Sequence, residues 1–184
     1  MDDYLIWMDL EMTGLDPETA VIVEIASLVT DGDLNIVAAG PVIAVAHPPE
    51  VIAAMDEWSR EHHKASGLLD RVLASKTGTA AAERETLAFL SAHVKEKTCP
   101  LAGNSVWQDR RFLVKYMPAV NEFLHHRLVD VSTIKELARR WYPALSRYEK
   151  KNAHTAESDI LESIAELKFY RERVFVPPRD LKPL

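Results

Sequence analysis

The stretch Tyr4-Leu5-Ile6-Trp7-Met8-Asp9-Leu10-Glu11-Met12-Thr13-Gly14-Leu15 decides how the rest of the chain is read. An apolar run of this length, closed by a glycine, predicts a buried strand that ends in a turn. Along a strand, residues two apart point to the same side. Asp9 and Glu11 therefore present two carboxylates to one spot at the strand's end. Two like charges that close are unfavourable unless a cation lies between them. A divalent metal is one reading of the pair. The other is one carboxylate capping the turn and one in solvent, and the D-x-E pattern alone leaves both open.

Working outward, Val21 to Thr30 is a long apolar, β-branched run and predicts a second strand. Asp31-Gly32-Asp33 is a hairpin signal, and Leu34 to Ala39 and Val42 to Val45 continue the strand pattern. Three antiparallel strands in sequence follow. Glu24, alone in an apolar strand, needs a partner if buried, and a structural hydrogen bond is its expected role.

The pattern then turns helical: Val51 to Met55 after Pro48-Pro49, Asp56 toward Lys64, Leu68 to Ala74, and a long helix capped by Thr79. Cys99 to Ala102 predicts a short strand, Val106 to Met117 a helix ending before Pro118, and Leu128 to Val131 a brief strand. Ser132 or Thr133 caps the helix Ile134 to Trp141, Pro143 to Asn152 is a polar irregular loop, and a helix runs from about Thr155 to Arg173. Strands first, then strands alternating with helices, give an α/β chain with a mixed sheet flanked by helices. The expected organisation is a single domain over residues 1–176 and an extended tail over 177–184.

Composition narrows the function classes. A hydrophobic content of 47% with 27% charged residues is ordinary for a soluble domain. No apolar run approaches the ~20 residues that span a bilayer, and the chain opens on Asp2-Asp3 and a strand rather than a signal peptide. The single cysteine, Cys99, excludes an intrachain disulfide and fits a reducing compartment, so a cytoplasmic location is expected. A net charge of -6 argues against wrapping long duplex nucleic acid, whose affinity comes from many Lys/Arg–phosphate contacts. A short anionic substrate remains compatible, because a metal cluster with a few local cations supplies the attraction.

Asp109, Asp159 and His154 are the remaining candidates for acid, base or ligand chemistry. Either aspartate alone, early in a helix, also reads as a dipole-favoured surface group. His62-His63 and His125-His126 lack the spacing and cysteine company of a zinc finger. Taken together, the segments say more. Asp9-x-Glu11 before Thr-Gly-Leu, then Gly103-Asn104-Ser105-x-x-x-Asp109-Arg110-x-Phe112-Leu113, then His154-x-Ala156-x-x-Asp159-Ile160 occur in that order. This order resembles the DEDD exonuclease superfamily, in the subgroup whose last motif carries histidine. The segments Asp130 to Trp141 and Glu162 to Leu167 are similar to the oligoribonuclease family within it, and the resemblance runs from about residue 4 to Arg173.

The resemblance implies a ribonuclease H-like fold, a homodimer, and 3′-to-5′ hydrolysis of very short RNAs, dinucleotides above all. It implies that Asp9, Glu11, Asp109 and Asp159 hold two Mg²⁺ or Mn²⁺ ions, which prefer hard oxygen ligands, and that His154 is the general base. By the same resemblance Leu15 and Trp58 flank the bases, His63 lies near the phosphate or 3′ end, and Ser105, Arg127 and Ser132 cap the 5′ phosphate. Trp58 also reads as a helix-packing residue. One departure stands out: the family commonly places a tyrosine before that arginine, reaching the substrate from the partner subunit, and this chain has His126. Two other readings are weighed against this one: a proofreading-type DNA exonuclease sharing the same five residues, and a silent nucleotide-binding protein on the same fold.

Overall fold

A computed structural model of the chain describes residues 3–145, 147–149 and 155–175. Strand β1 (Tyr4–Met12) sits in the middle of a five-stranded sheet of order β3-β2-β1-β4-β5. Strands β2 (Ile22–Asp31) and β3 (Ile36–Ala44) add to one side antiparallel, and β4 (Leu101–Gly103) and β5 (Leu128–Asp130) to the other side parallel. Between β3 and β4 lie α1 (Pro49–Ala53), α2 (Glu57–Ala65), α3 (Leu68–Ala74) and α4 (Thr79–His93). Helices α5 (Trp107–Tyr116) and α6 (Pro118–Phe123) precede β5, and α7 (Val131–Trp141) and α8 (Ala156–Arg173) follow it.

The alternation along β1 sorts its side chains between two cores. Ile6, Met8 and Leu10 pack with Leu90 of α4, Phe112 and Leu113 of α5, and Val120 of α6. Trp7 faces the opposite layer, with Val131 and Ala138 of α7 and Ile160 and Ile164 of α8. Asp9 and Glu11 share the parity of Trp7 and so emerge on the side covered by α8. Among the described residues, no helix is long and apolar enough to cross a membrane.

Several boundaries differ from the sequence expectation, each for a local reason. The hairpin turn extends to Leu34, whose φ of 67° is left-handed and whose N–H donates to the Asp31 carbonyl at 3.1 Å. Strand β3 runs unbroken through Gly40-Pro41. A Cβ on Gly40 would lie 2.5 Å from Ser27 Oγ and 2.7 Å from the Phe89 ring, so glycine lets α4 close onto the strand. Pro41 is tolerated because β3 is the sheet edge. Strand β4 begins later than expected, at Leu101, leaving Cys99 buried before it. Gly78 rather than Thr79 occupies the cap of α4. Pro118 starts α6 as its first residue, where a missing N–H costs nothing, besides ending α5. Strand β5 stops at Asp130, which itself caps α7 by accepting the Ser132 N–H, in place of Ser132 or Thr133. Ser146, residues 150–154 and residues 176–184, on which part of the expected loop and the expected tail fall, lie outside the described residues.

Candidate metal centre and substrate cleft

Asp9 and Glu11 leave the end of β1 on the α8 side, and α8 brings Asp159 to them. One carboxylate oxygen from each of the three lies within 4.8 Å of the others. The placement of α8 follows from its sequence. Thr155 and Ser158 form a reciprocal capping box that fixes where the helix starts. Ile160 and Ile164 then lock it to the sheet, leaving Asp159 in the first turn, facing the pair.

Asp109 arrives from the opposite layer. It sits in the first turn of α5, only 7% exposed, and its Oδ1 accepts the Leu10 N–H at 2.9 Å. That donor exists because β4 is short. The Ile6 N–H faces β4 and reaches the Pro100 carbonyl at 3.1 Å, and the two-residue period puts the Leu10 N–H on the same edge. Pairing of β1 with β4 stops at Trp7 and Ala102, so the ladder does not reach Leu10. The expectation of a dipole-favoured surface aspartate therefore does not describe Asp109.

Two of the four acids are held where a negative charge is costly. Burial pushes the Glu11 carboxyl up to about 7, with the charges of Asp159, Glu24 and Asp109 adding to the rise. Burial likewise pushes Asp109 up to about 7 against the hydrogen bond from Leu10. Carboxylates held at a pKa this high favour whatever neutralises them: a proton in acid, a divalent cation above it. Hard oxygen donors of this kind suit Mg²⁺, Mn²⁺ or a similar ion, so the residues present fit a divalent metal.

Two buried groups brace the cluster. Glu24, fully buried, sits directly across from Glu11 in the β1–β2 register. It pairs with Arg71 of α3 and accepts the Ala156 N–H at 3.4 Å. The expected structural role of Glu24 is met, and its partner Arg71 was not legible in the sequence. His63 of α2 is also buried; its Nε2 donates to the Met12 carbonyl at 2.8 Å, since a carbonyl only accepts, and its Nδ1 lies 3.8 Å from Glu11 Oε2.

Leu15 and Trp58 stand out in solvent, 74% and 66% exposed. Trp58 stacks on His62 with ring centroids 3.8 Å apart, and this exposure replaces the helix-packing reading. The Leu15 carbonyl is held by the Gln108 side chain of α5. Ser105 and Ser132 meet with Oγ atoms 3.1 Å apart, at the ends of the parallel strands β4 and β5. Asp130 Oδ1 accepts the backbone N–H of both, at 3.0 and 2.9 Å. Ser105 is left-handed at φ 52°, a conformation costly for a residue with a Cβ and held here by that clamp.

His126 and Arg127 are exposed and lie at the other end of β5 from the serines. Arg110 of α5 holds this segment through the His125 and His126 carbonyls, and the two histidine rings sit 4.1 Å apart. Within one chain, then, β5 separates Arg127 from Ser105 and Ser132. His154 lies outside the described residues, immediately before Thr155 and the start of α8.

The chain is similar to known proteins over nearly its whole length. A family model described as Exonuclease matches residues 6–167. The oligoribonuclease of Shewanella amazonensis is 57% identical over 172 residues, covering 93% of this chain and 95% of that protein. The oligoribonuclease of Aliivibrio fischeri is 57% identical over 175 residues, covering 95% and 97%. Among solved structures, Escherichia coli exonuclease I in complex with a dT13 oligonucleotide superimposes with a TM-score of 0.73 at 15% identity, over 93% of this chain and 41% of that one. The zinc-bound form of the E. coli exonuclease I–ssDNA complex gives 0.70 at 16% identity, over 95% and 41%. This chain thus spans about two fifths of the length of those structures, and the likeness to them is one of fold, the ribonuclease H-like sheet. The match over nearly its whole length settles the family: the chain belongs to the exonucleases, in the branch that holds the oligoribonucleases.

Proposed function

We propose that the protein is a 3′-to-5′ exoribonuclease that hydrolyses very short oligoribonucleotides, dinucleotides above all, to 5′-mononucleotides. The observation that carries this reading is the convergence of Asp9, Glu11 and Asp159 in an oligoribonuclease-like chain, with Leu15 and Trp58 exposed. Asp9, Glu11, Asp109 and Asp159 are the residues that would hold two divalent ions, Mg²⁺ or Mn²⁺. Divalent ions held there would supply Lewis-acid stabilisation of the negative charge that develops as a phosphodiester is hydrolysed.

The chain's own groups do the rest. Trp58 and Leu15 take a base between them, and stacking accepts any base, which suits mixed-sequence substrates. His63 fixes Glu11 and the Met12 carbonyl near the 3′ end. Ser105, backed by Ser132, offers its hydroxyl to a 5′ phosphate, closing the cleft to a longer chain. His154 accepts the proton of the attacking water, a role imidazole side chains suit near neutral pH. A homodimer gives His126 and Arg127 a route to the partner's substrate that one chain does not offer them.

The test is a time course with Mg²⁺ or Mn²⁺ on a 5′-labelled RNA ladder from a dinucleotide to a heptanucleotide, with matched DNA dinucleotides alongside. Fastest loss of the RNA dinucleotide is expected. Equal or better cleavage of DNA, or no turnover despite tight dinucleotide binding, would sink the reading. In the same assay His154→Ala is expected to lower the rate and leave metal binding intact.

A further inference from the structure

The polar network behind the two serines has a direction that can be read from chemistry alone. Asn104 is the residue between β4 and Ser105. One of its amide atoms lies 3.0 Å from Glu166 Oε2 and 2.9 Å from Ser163 Oγ. Glu166 of α8 is 1% exposed and is paired with Lys135 at 3.0 Å, so its carboxylate only accepts. The Asn104 atom facing it must therefore be the NH₂ group, and the other atom the carbonyl. Ser163 fits the same assignment, because its own hydroxyl donates to the Asp159 carbonyl at 2.7 Å and it is left to accept from Asn104.

The consequence runs outward. With its carbonyl fixed, Asn104 accepts the Ser132 hydroxyl at 3.0 Å. Ser132 has then used its proton and can only accept. Ser105 therefore keeps the one proton of the pair that is not committed to the protein framework: it donates to Ser132 when the site is empty and is the hydroxyl that can turn to a 5′ phosphate. A buried carboxylate on α8 thus sets, through one amide, where the half-buried Ser132 hydroxyl points, and leaves the exposed Ser105 hydroxyl as the donor of the pair. The same amide joins them to the helix that carries Asp159.

We propose that Asn104, oriented by Glu166, is a positioning residue for substrate length: it holds the Ser105–Ser132 pair in the arrangement that receives the 5′ end of a dinucleotide. The inference rests on the exoribonuclease reading above and adds a residue that touches no substrate.

The experiment compares kcat/KM for a 5′-phosphorylated RNA dinucleotide and tetranucleotide in the wild-type chain, Asn104→Ala, Ser132→Ala and the double variant. Bis(4-nitrophenyl) phosphate, too small to need the serines, reports the metal centre alone. Asn104→Ala is expected to lower the dinucleotide preference about tenfold, the cost of misorienting one hydrogen-bonded group, mainly through a raised KM. Nitrophenyl ester turnover is expected to stay within about threefold of wild type, well below the roughly tenfold cost of a lost hydrogen bond. The double variant is expected to match Ser132→Ala, because both losses pass through one hydroxyl. Glu166→Gln, which can still accept from the Asn104 amide, is expected to keep the preference; it also serves if Asn104→Ala fails to fold, since loss of the preference there would contradict the network.

A retained preference in Asn104→Ala, additive losses in the double variant, or an equal fall on all three substrates would overturn the proposal. Absence of any dinucleotide preference in the wild-type chain would instead refute the functional reading on which it rests.

Discussion

Replacing Asp109 by asparagine should make the metal-free protein more stable while destroying its activity. The side chain is buried, and its Oδ1 accepts the Leu10 N–H, a bond that an asparagine carbonyl can keep. What changes is the charge. Burial raises Asp109 from an ordinary 3.8 to about 7, so the native state holds the proton more tightly than the unfolded chain does. Ionising Asp109 in the fold therefore destabilises it. The cost is nearly absent below about pH 4, grows as pH rises, and is complete above about pH 7. At about 1.4 kcal/mol per pH unit, the interval between 3.8 and about 7 corresponds to about 4 kcal/mol. Relaxation and water entry reduce this to about 2–4 kcal/mol. For a domain of this size that is a rise in Tm of roughly 5–12 °C. The assay is thermal or urea unfolding of wild type and Asp109→Asn in a chelator, at about pH 8 and about pH 4.5. The gain should be large at the higher pH and shrink to about 1 kcal/mol at the lower. No gain at the higher pH, or a gain independent of pH, would refute the claim that a buried, uncompensated charge sits there. Phosphodiesterase activity should vanish in the variant at both pH values.

Two further outcomes test the cleft and its support. Trp58→Ala should weaken dinucleotide binding by about 1–3 kcal/mol, the usual value of a base–aromatic stack, and leave Tm almost unmoved because the ring is 66% exposed; a large fall in Tm in a melting experiment would restore the packing role. Arg71→Ala leaves Glu24 buried and unpaired beside Glu11, and should cost about 3–5 kcal/mol in urea denaturation. Glu24→Gln, which leaves only the half-exposed Arg71 to rehydrate, should cost clearly less; equal losses would contradict the pair's assignment.

The strand carrying Asp9 and Glu11, the hairpin that follows, and the last helix were legible because each has a strong period or an unmistakable turn signal. Motif order pointed to the four acids, yet nothing in the sequence tells that Asp109 enters from the opposite layer and is held by a backbone amide. That depends on where β4 stops, a boundary misplaced by the sequence reading because Cys99 and Pro100 continue the apolar pattern of the strand. Ser105 in a left-handed conformation was equally invisible, since the clamp that holds it is supplied by Asp130, distant in sequence. Glu24 announced itself as a lone acid in an apolar run; Arg71 did not, because a single arginine on an exposed helix face carries no such contrast.

The brevity of β4 has a consequence for how this chain tolerates change. A strand extended by two residues would offer Leu10 a ladder partner, and the most favourable pairing for the sheet would then be the one that evicts Asp109. Lengthening the pairing is expected to make a better sheet and, on the proposed role of Asp109, an inactive protein. Natural variation in this connection is therefore expected to be constrained in length more tightly than in residue type, and an insertion there would silence the protein with every acidic residue still in place. The missing rung of the ladder is what leaves Asp109 its backbone donor.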